Sequence, residues 1–253
     1  MAELWLVDLE AAAPALEALE RATPRLAADD RQRIGRIGDQ RERSYRLAAY
    51  IALRIALERV AGRQVRGVKF SRALGGKPHL PGVPVTFSLS HADGAALIAV
   101  ATAGMIGVDV EKARAIRVSE RRREEIVAAG AGLTAAPLAG STSDSAFLQA
   151  WTRLEAYAKA HGHGLARVLR DLGLRSVSGR QLARPHIEAA ARRLAHASDL
   201  EVHDLKLPAG LYGAVAAARG TGAAIRLRRF PADAAAIRRI AARRRPAVAR
   251  ARA

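Results

Sequence analysis

The chain of 253 residues contains no cysteine. That excludes disulfides, thiol nucleophiles and cysteine-ligated zinc or iron–sulfur centres, and it fits a reducing compartment, so the expected location is the cytoplasm. Aromatic residues make up only 4 %. The core must therefore come from Ala, Leu, Val and Ile within the 50 % of the chain that is hydrophobic, and few rings remain for stacking on nucleic-acid bases. No apolar run is long enough to cross a membrane. Residues Met1 to Asp8 carry acids inside their apolar stretch with no basic region ahead of it, and read as a strand rather than a signal sequence. Acids are also in short supply: 24 Asp and Glu face 42 Lys and Arg, a net charge of +18. Residues 231–253 hold seven Arg and one Asp and supply +6 of it; this basic Ala/Arg-rich tail reads as a frayed helix or a disordered end. Such a balance favours nucleic acid, an acidic protein or a phosphate-rich ligand, or else it solvates an ordinary surface.

What is present alternates strands with two long helices. Residues 3–8 read as a strand, and 24–34 and 39–61 as helices, the second amphipathic through Leu47, Ile51 and Ile55 and closed by Gly62. It carries Arg41, Arg43, Arg46 and Arg54, which on spacing alone read as a solvated face. Val68–Phe70 suggests a short strand and Gly75-Gly-Lys-Pro78 a turn. Residues 83–90 alternate as a half-buried strand ending at a His91-Ala-Asp-Gly94 turn, followed by strands at 95–101 and 105–111; together they predict a mostly antiparallel meander. A helix over 117–128, a loop over 129–145 and a second long helix over 147–165 come next. Strand candidates at 173–177, 200–207, 211–218 and 224–230 follow, with loop or helix at 182–196. The expected class is α+β: two similar halves packed as a pseudo-dimer, each a small mostly antiparallel sheet with a long helix. The expected boundaries are 1–104, 105–230 and the tail 231–253.

The chemistry begins with Asp109 and Glu111. At i and i+2 on a strand they share one face about 6–7 Å apart, where two acids repel unless a cation or proton lies between them. Glu155 on the second helix is the candidate third carboxylate for a magnesium site that keeps waters and substrate oxygens. Lys159 lies one turn on from Glu155 along the same helix face. Ser90 and His91 stand at a strand end, and Lys77 sits on a Gly-Gly-Lys-Pro turn; with the arginine helix they could hold phosphates. Each has an ordinary alternative: a surface ion pair for Glu155 and Lys159, a solvated strand end for the two acids, a turn histidine, an exposed loop charge.

Taken in order, Gly75-Gly-Lys-Pro78, Phe87-Ser-Leu-Ser-His91, Gly107-Val-Asp-Val-Glu111, and Trp151-Thr-Arg-Leu-Glu-Ala-Tyr-Ala-Lys159 with Gly162-His-Gly-Leu165 resemble the 4′-phosphopantetheinyl transferase superfamily, in its two-halved, surfactin-synthetase-activating type. The resemblance covers roughly residues 1–230 and is strongest over 75–165. It implies that Asp109, Glu111 and Glu155 bind Mg2+ and that Lys159 contacts the coenzyme A pyrophosphate. It further implies that Ser90, His91 and Lys77 contact coenzyme A, that Arg46 or Arg43 does so from the first long helix, and that Arg31 and Arg33 lie near the 3′-phosphate. The implied activity moves phosphopantetheine from coenzyme A to a serine of an apo acyl or peptidyl carrier protein, with Glu155 and Lys159 as catalytic groups. Glu155 would be metal ligand, base, or both. A monomer is expected, with no membrane partner. Leu154 stands where the superfamily usually has lysine, and the 112–146 segment lacks an aromatic-rich helix.

Two other readings compete. A basic nucleic-acid-binding protein accounts for the arginines but leaves the ordered motifs unexplained. A catalytically inactive relative that serves as a binding protein would account for Leu154.

Overall fold

The structure, a computed structural model, describes residues 2–73, 75–138, 143–174, 183–221 and 225–242. In chain order the elements are β1 (Ala2–Asp8), α1 (Leu9–Ala22), α2 (Ala28–Gly35), α3 (Gln40–Ala61), β2 (Ser71–Arg72), β3 (Pro78–His79), β4 (Thr86–Ala92), β5 (Ala95–Ala101) and β6 (Ile106–Lys112). There follow α4 (Glu120–Gly132), α5 (Asp144–His161), α6 (Leu165–Asp171), α7 (Arg184–Ala197), β7 (Leu200–Asp204), β8 (Leu211–Ala218), β9 (Leu227–Arg229) and α8 (Ala234–Ala242). The class is α+β. Two compact units account for the chain: Met1–Ser71, Pro78–Ala103 and Arg226–Ala253 form the first, and Arg72–Lys77 with Gly104–Ile225 the second.

The first unit has a four-stranded sheet in the order β4-β5-β1-β9. β5 pairs antiparallel with both β4 and β1, and β9 lies parallel to β1. Helix α3 starts where Asp39 caps the Glu42 amide at 2.7 Å and ends at Gly62, whose φ of +92° favours a residue without a side chain. Residues 51–58 of α3 are buried all round, beyond the expected Leu47–Ile51–Ile55 stripe. Charges inside that stretch are paired. Arg54, 1 % exposed, donates to Asp30 at 2.7 Å, and Glu58 accepts from Arg25 at 3.0 Å and from Arg66. Arg54 is thus not part of a solvated face; Asp30 from α2 offsets its desolvation. The helix expected over 24–34 begins only at Ala28, and α1 was not expected. Its Leu9, Ala12, Leu16 and Leu19 face the core at helical spacing.

In the second unit β6, β8 and β7 form an antiparallel sheet with β8 in the centre. This corrects the predicted meander: β4 and β5 pair as expected, but β6 does not continue them. Both edges of β5 are already taken by β4 and β1, and β6 pairs instead with β8, Asp109 opposite Ala214 and Glu111 opposite Tyr212. Helix α5 is capped by Ser143, which accepts from the Ala146 amide at 3.1 Å. Inside it, fully buried Arg153 donates from two nitrogens to Asp204 of β7 at 2.8 and 2.6 Å. Gly130 of α4 sits so close to Ala150 that a Cβ there would fall 2.5 Å from the Ala150 Cα, which draws α4 directly onto α5.

Several local expectations shift. Residues 68–70 form no strand, and the chain remains extended as β4 through Ala92 before turning at Asp93 and Gly94. Helix α4 runs on to Gly132, and residues 184–197 are helical. Residues 227–229 pair with β1 in the first unit, not within the second half. In the 173–177 segment, residues 173–174 close the turn after α6 and 175–177 lie outside the described residues. The tail contributes α8, whose Ile237 is fully buried in the first unit's core; residues 243–253 lie outside the described residues. No helix among the described residues is long and apolar enough to cross a membrane.

Candidate functional site

In the second unit the site is built where α5 lies across β6. Gly107 makes the approach possible: a Cβ there would fall 2.1 Å from the Ala156 carbonyl oxygen and 2.3 Å from the Ala160 nitrogen. With the helix backbone against Gly107, the next residues on that strand face, Asp109 and Glu111, meet the α5 stripe of Trp151, Glu155 and Lys159. That stripe is half-buried while the residues between its members are buried. Lys159 Nζ donates to Asp109 Oδ1 at 2.7 Å, and Arg114 donates to Glu111 at 2.8 Å. Trp151 stacks on Phe147 with ring centroids 6.0 Å apart.

Two of the three carboxylates, Glu155 and Glu111, are perturbed by their surroundings. Burial pushes the Glu155 carboxyl above its usual range, and the nearby Asp109 and Glu111 add to this while Lys159 opposes it. Glu111 is likewise raised, by burial first and by Asp109, against the pull of Arg114. Three acids thus share the site with one ammonium and one guanidinium. Their oxygen donors are of the kind a hard divalent cation such as Mg2+ takes, and a cation there would offset the burial and the neighbouring negative charge that raise Glu111 and Glu155. Among the described residues no group of three or more Asp, Glu, His or Cys side chains is arranged so that it could hold a metal ion; Asp109 and Glu111 are turned toward Lys159 and Arg114.

Lys77 completes the corner. Its Nζ donates to the Ile106 carbonyl at the start of β6 and to the Ala160 carbonyl near the end of α5, both at 2.9 Å. The loop under it presses on the chain after α5, since a Cβ on Gly75 would overlap the Gly162 carbonyl oxygen at 1.6 Å. Gly162, at φ +84°, stops α5, and Gly164, at φ +75°, leads into α6. Two of the ammonium's three N–H groups therefore clasp strand and helix. Burial pulls the Lys77 pKa down to about 8. Leu154 is fully buried in the core.

In the first unit, Arg46 and His91 come together although they lie 45 positions apart in the sequence. One oxygen of Glu42 holds both: Oε1 is 2.8 Å from the Arg46 guanidinium and 3.2 Å from His91 Nε2. Burial pushes the Glu42 carboxyl up, but Arg46 and His91 outweigh this and hold it below the usual range. Ser90 is buried on the same strand. Arg43 is turned to the Ile37 carbonyl at 2.6 Å. Arg31 donates to the Leu26 carbonyl at 2.8 Å, and Arg33 to Asp30 at 2.8 Å and Tyr50 at 3.0 Å. Of the arginines named from sequence, Arg46 is the one joined to His91 through a shared acid. Glu42 escaped the sequence reading, although its i, i+4 spacing to Arg46 was a visible signal.

An α+β unit that gathers three acids and a lysine at a half-buried helix–strand crossing has the makings of a phosphate-handling site. Residues 105–216 match the family model of the 4′-phosphopantetheinyl transferase superfamily. The matched stretch includes Asp109, Glu111, Glu155 and Lys159. No curated protein matches the chain.

Proposed function

We propose that this protein transfers the 4′-phosphopantetheine arm of coenzyme A to a serine of an apo acyl or peptidyl carrier protein and releases adenosine 3′,5′-bisphosphate. One observation carries the reading: Asp109, Glu111, Glu155 and Lys159 converge on one strand–helix crossing inside the segment that matches the superfamily. The serine oxygen attacks the β-phosphorus, the bond from that phosphorus to the bridging oxygen breaks, and the electron pair leaves with the adenosine bisphosphate. Glu155 is assigned to the serine proton, directly or through a metal-bound water, to the metal, or to a share of both roles. Lys159, released from Asp109, sets its ammonium against the phosphate oxygens that gain charge. Mg2+ held by Asp109, Glu111 and Glu155 would supply further neutralisation of that charge. Lys77 holds β6 and α5 in register, and its third N–H is left for a phosphate oxygen. Arg46, Ser90 and His91 are assigned to coenzyme A phosphate, with Arg43 the alternative to Arg46. The net charge of +18 attracts both coenzyme A and an acidic carrier, an effect that fades with salt.

The test incubates the protein with coenzyme A, Mg2+ and several apo carrier proteins, then weighs each carrier by mass spectrometry. A phosphopantetheine adduct formed by wild type and lost in Asp109→Ala is expected. No adduct on any carrier, or an Asp109→Ala variant as active as wild type, would refute the assignment.

A further inference from the structure

We propose that Glu42 is a built-in competitor for phosphate: its carboxylate occupies Arg46 and His91 in the ligand-free protein and leaves when a phosphate group takes its place. The inference rests on the reading above, that Arg46 and His91 receive a coenzyme A phosphate.

The geometry is that of a place-holder rather than a finished ion pair. A single oxygen of Glu42 serves both partners, at 2.8 Å from Arg46 and 3.2 Å from His91 Nε2. It meets the guanidinium end-on, through one terminal nitrogen, and the Arg46 Nε is buried with no hydrogen-bond acceptor. An arginine fork is best satisfied by two oxygens side by side. A tetrahedral phosphate offers three, enough for both nitrogens on that edge and for the imidazole at once.

Glu42 is also free to go. It is on the first turn of α3, and its side chain is 40 % exposed; its backbone amide is capped by Asp39 at 2.7 Å, so the helix start does not depend on the carboxylate. Rotation into solvent costs it contacts of the half-exposed kind, which are individually weak. While it stays, it neutralises the Arg46 guanidinium, and it discounts the affinity of any lone anion. A ligand with several phosphates, held elsewhere as well, overcomes the discount.

The test is calorimetric titration of the full-length protein with coenzyme A and with 3′-dephospho-coenzyme A, with no carrier present. Wild type is compared with Glu42→Gln, Glu42→Ala, Arg46→Ala and the double variant Glu42→Ala/Arg46→Ala. Both Glu42 variants should bind coenzyme A about threefold to tenfold more tightly than wild type, the range expected for losing one or two half-exposed charge contacts. The gain should vanish in the Arg46→Ala background. Retention of the gain with 3′-dephospho-coenzyme A assigns the pair to the pyrophosphate, and its loss assigns the pair to the 3′-phosphate; both support the inference. Weaker binding in Glu42→Ala would overturn it, because the carboxylate would then be a positioning group. A gain that persists without Arg46 would overturn it too, as a bulk charge effect. Failure of all five proteins to bind coenzyme A would overturn the transferase reading and the inference together.

Discussion

Gly107 offers the sharpest perturbation, because a single methyl group tests whether the helix–strand crossing makes the site. In Gly107→Ala the new Cβ would fall 2.1 Å from the Ala156 oxygen and 2.3 Å from the Ala160 nitrogen, against ordinary contact beginning near 3.4 Å. Both neighbours are backbone atoms of α5, so no side chain can swing aside, and the helix must retreat by about 1.3 Å. Overpacking of this kind costs about 1–3 kcal/mol. The larger effect is on Glu155 and Lys159, which ride on the same helix. Their displacement would stretch the 2.7 Å Lys159–Asp109 contact beyond hydrogen-bonding range, and a misplacement of about 1 Å at a reacting centre costs on the order of 100-fold in rate. The assay pairs urea denaturation with the rate of carrier modification at saturating coenzyme A. Loss of activity in a variant that still unfolds cooperatively, with the stability loss in that range, is expected. A Gly107→Ala protein within 0.5 kcal/mol of wild type, at roughly unchanged rate, would refute the claim that backbone contact at Gly107 positions the site.

Two further outcomes follow from the same unit. Burial lowers the Lys77 pKa to about 8 from 10.5, so between those values the unfolded chain binds more protons than the folded one and stability rises with pH. The neutral amine keeps two N–H groups for its two carbonyl acceptors. The unfolding free energy of wild type from urea titrations should therefore gain about 3 kcal/mol on that of Lys77→Met as pH climbs from 7.5 to 10.5; a constant difference between the two proteins would contradict this. Leu154→Lys, which puts in the lysine that the sequence resemblance leads one to expect, should destabilise by about 3 kcal/mol or more, since it places an ammonium in a fully buried core position. A stable, more active Leu154→Lys variant would show instead that the position opens to the site.

What could be read from sequence was local in origin. The alternation around Asp109 and Glu111, the helical stripe of Trp151, Glu155 and Lys159, and the glycine stop at 162 are written in short windows, and each element is present where its pattern lies. What could not be read depends on partners far along the chain. Nothing near β6 says that β8, about a hundred residues on, will be its neighbour rather than β5. Arg54 and Arg153 look like surface charges until Asp30 and Asp204 arrive inside the fold to neutralise them. Helix α1 was obscured by Ala-rich sequence with Pro14 in its interior, although Leu9, Leu16 and Leu19 mark its buried face. Gly107 was visible as a letter, but only the packed helix gives a reason for its missing side chain.

The net charge is a poor guide to how this chain would hold an anion. At each candidate contact the cation already has an internal partner: Asp109 for Lys159, Glu42 for Arg46, two carbonyls for Lys77. Unneutralised cations packed together would repel and loosen the elements that carry them. An internal acid removes that repulsion and fixes the side-chain geometry before the ligand arrives. Binding of a phosphate then becomes an exchange of partners, in which the gain is the difference between a phosphate and a carboxylate rather than the full attraction of a bare charge.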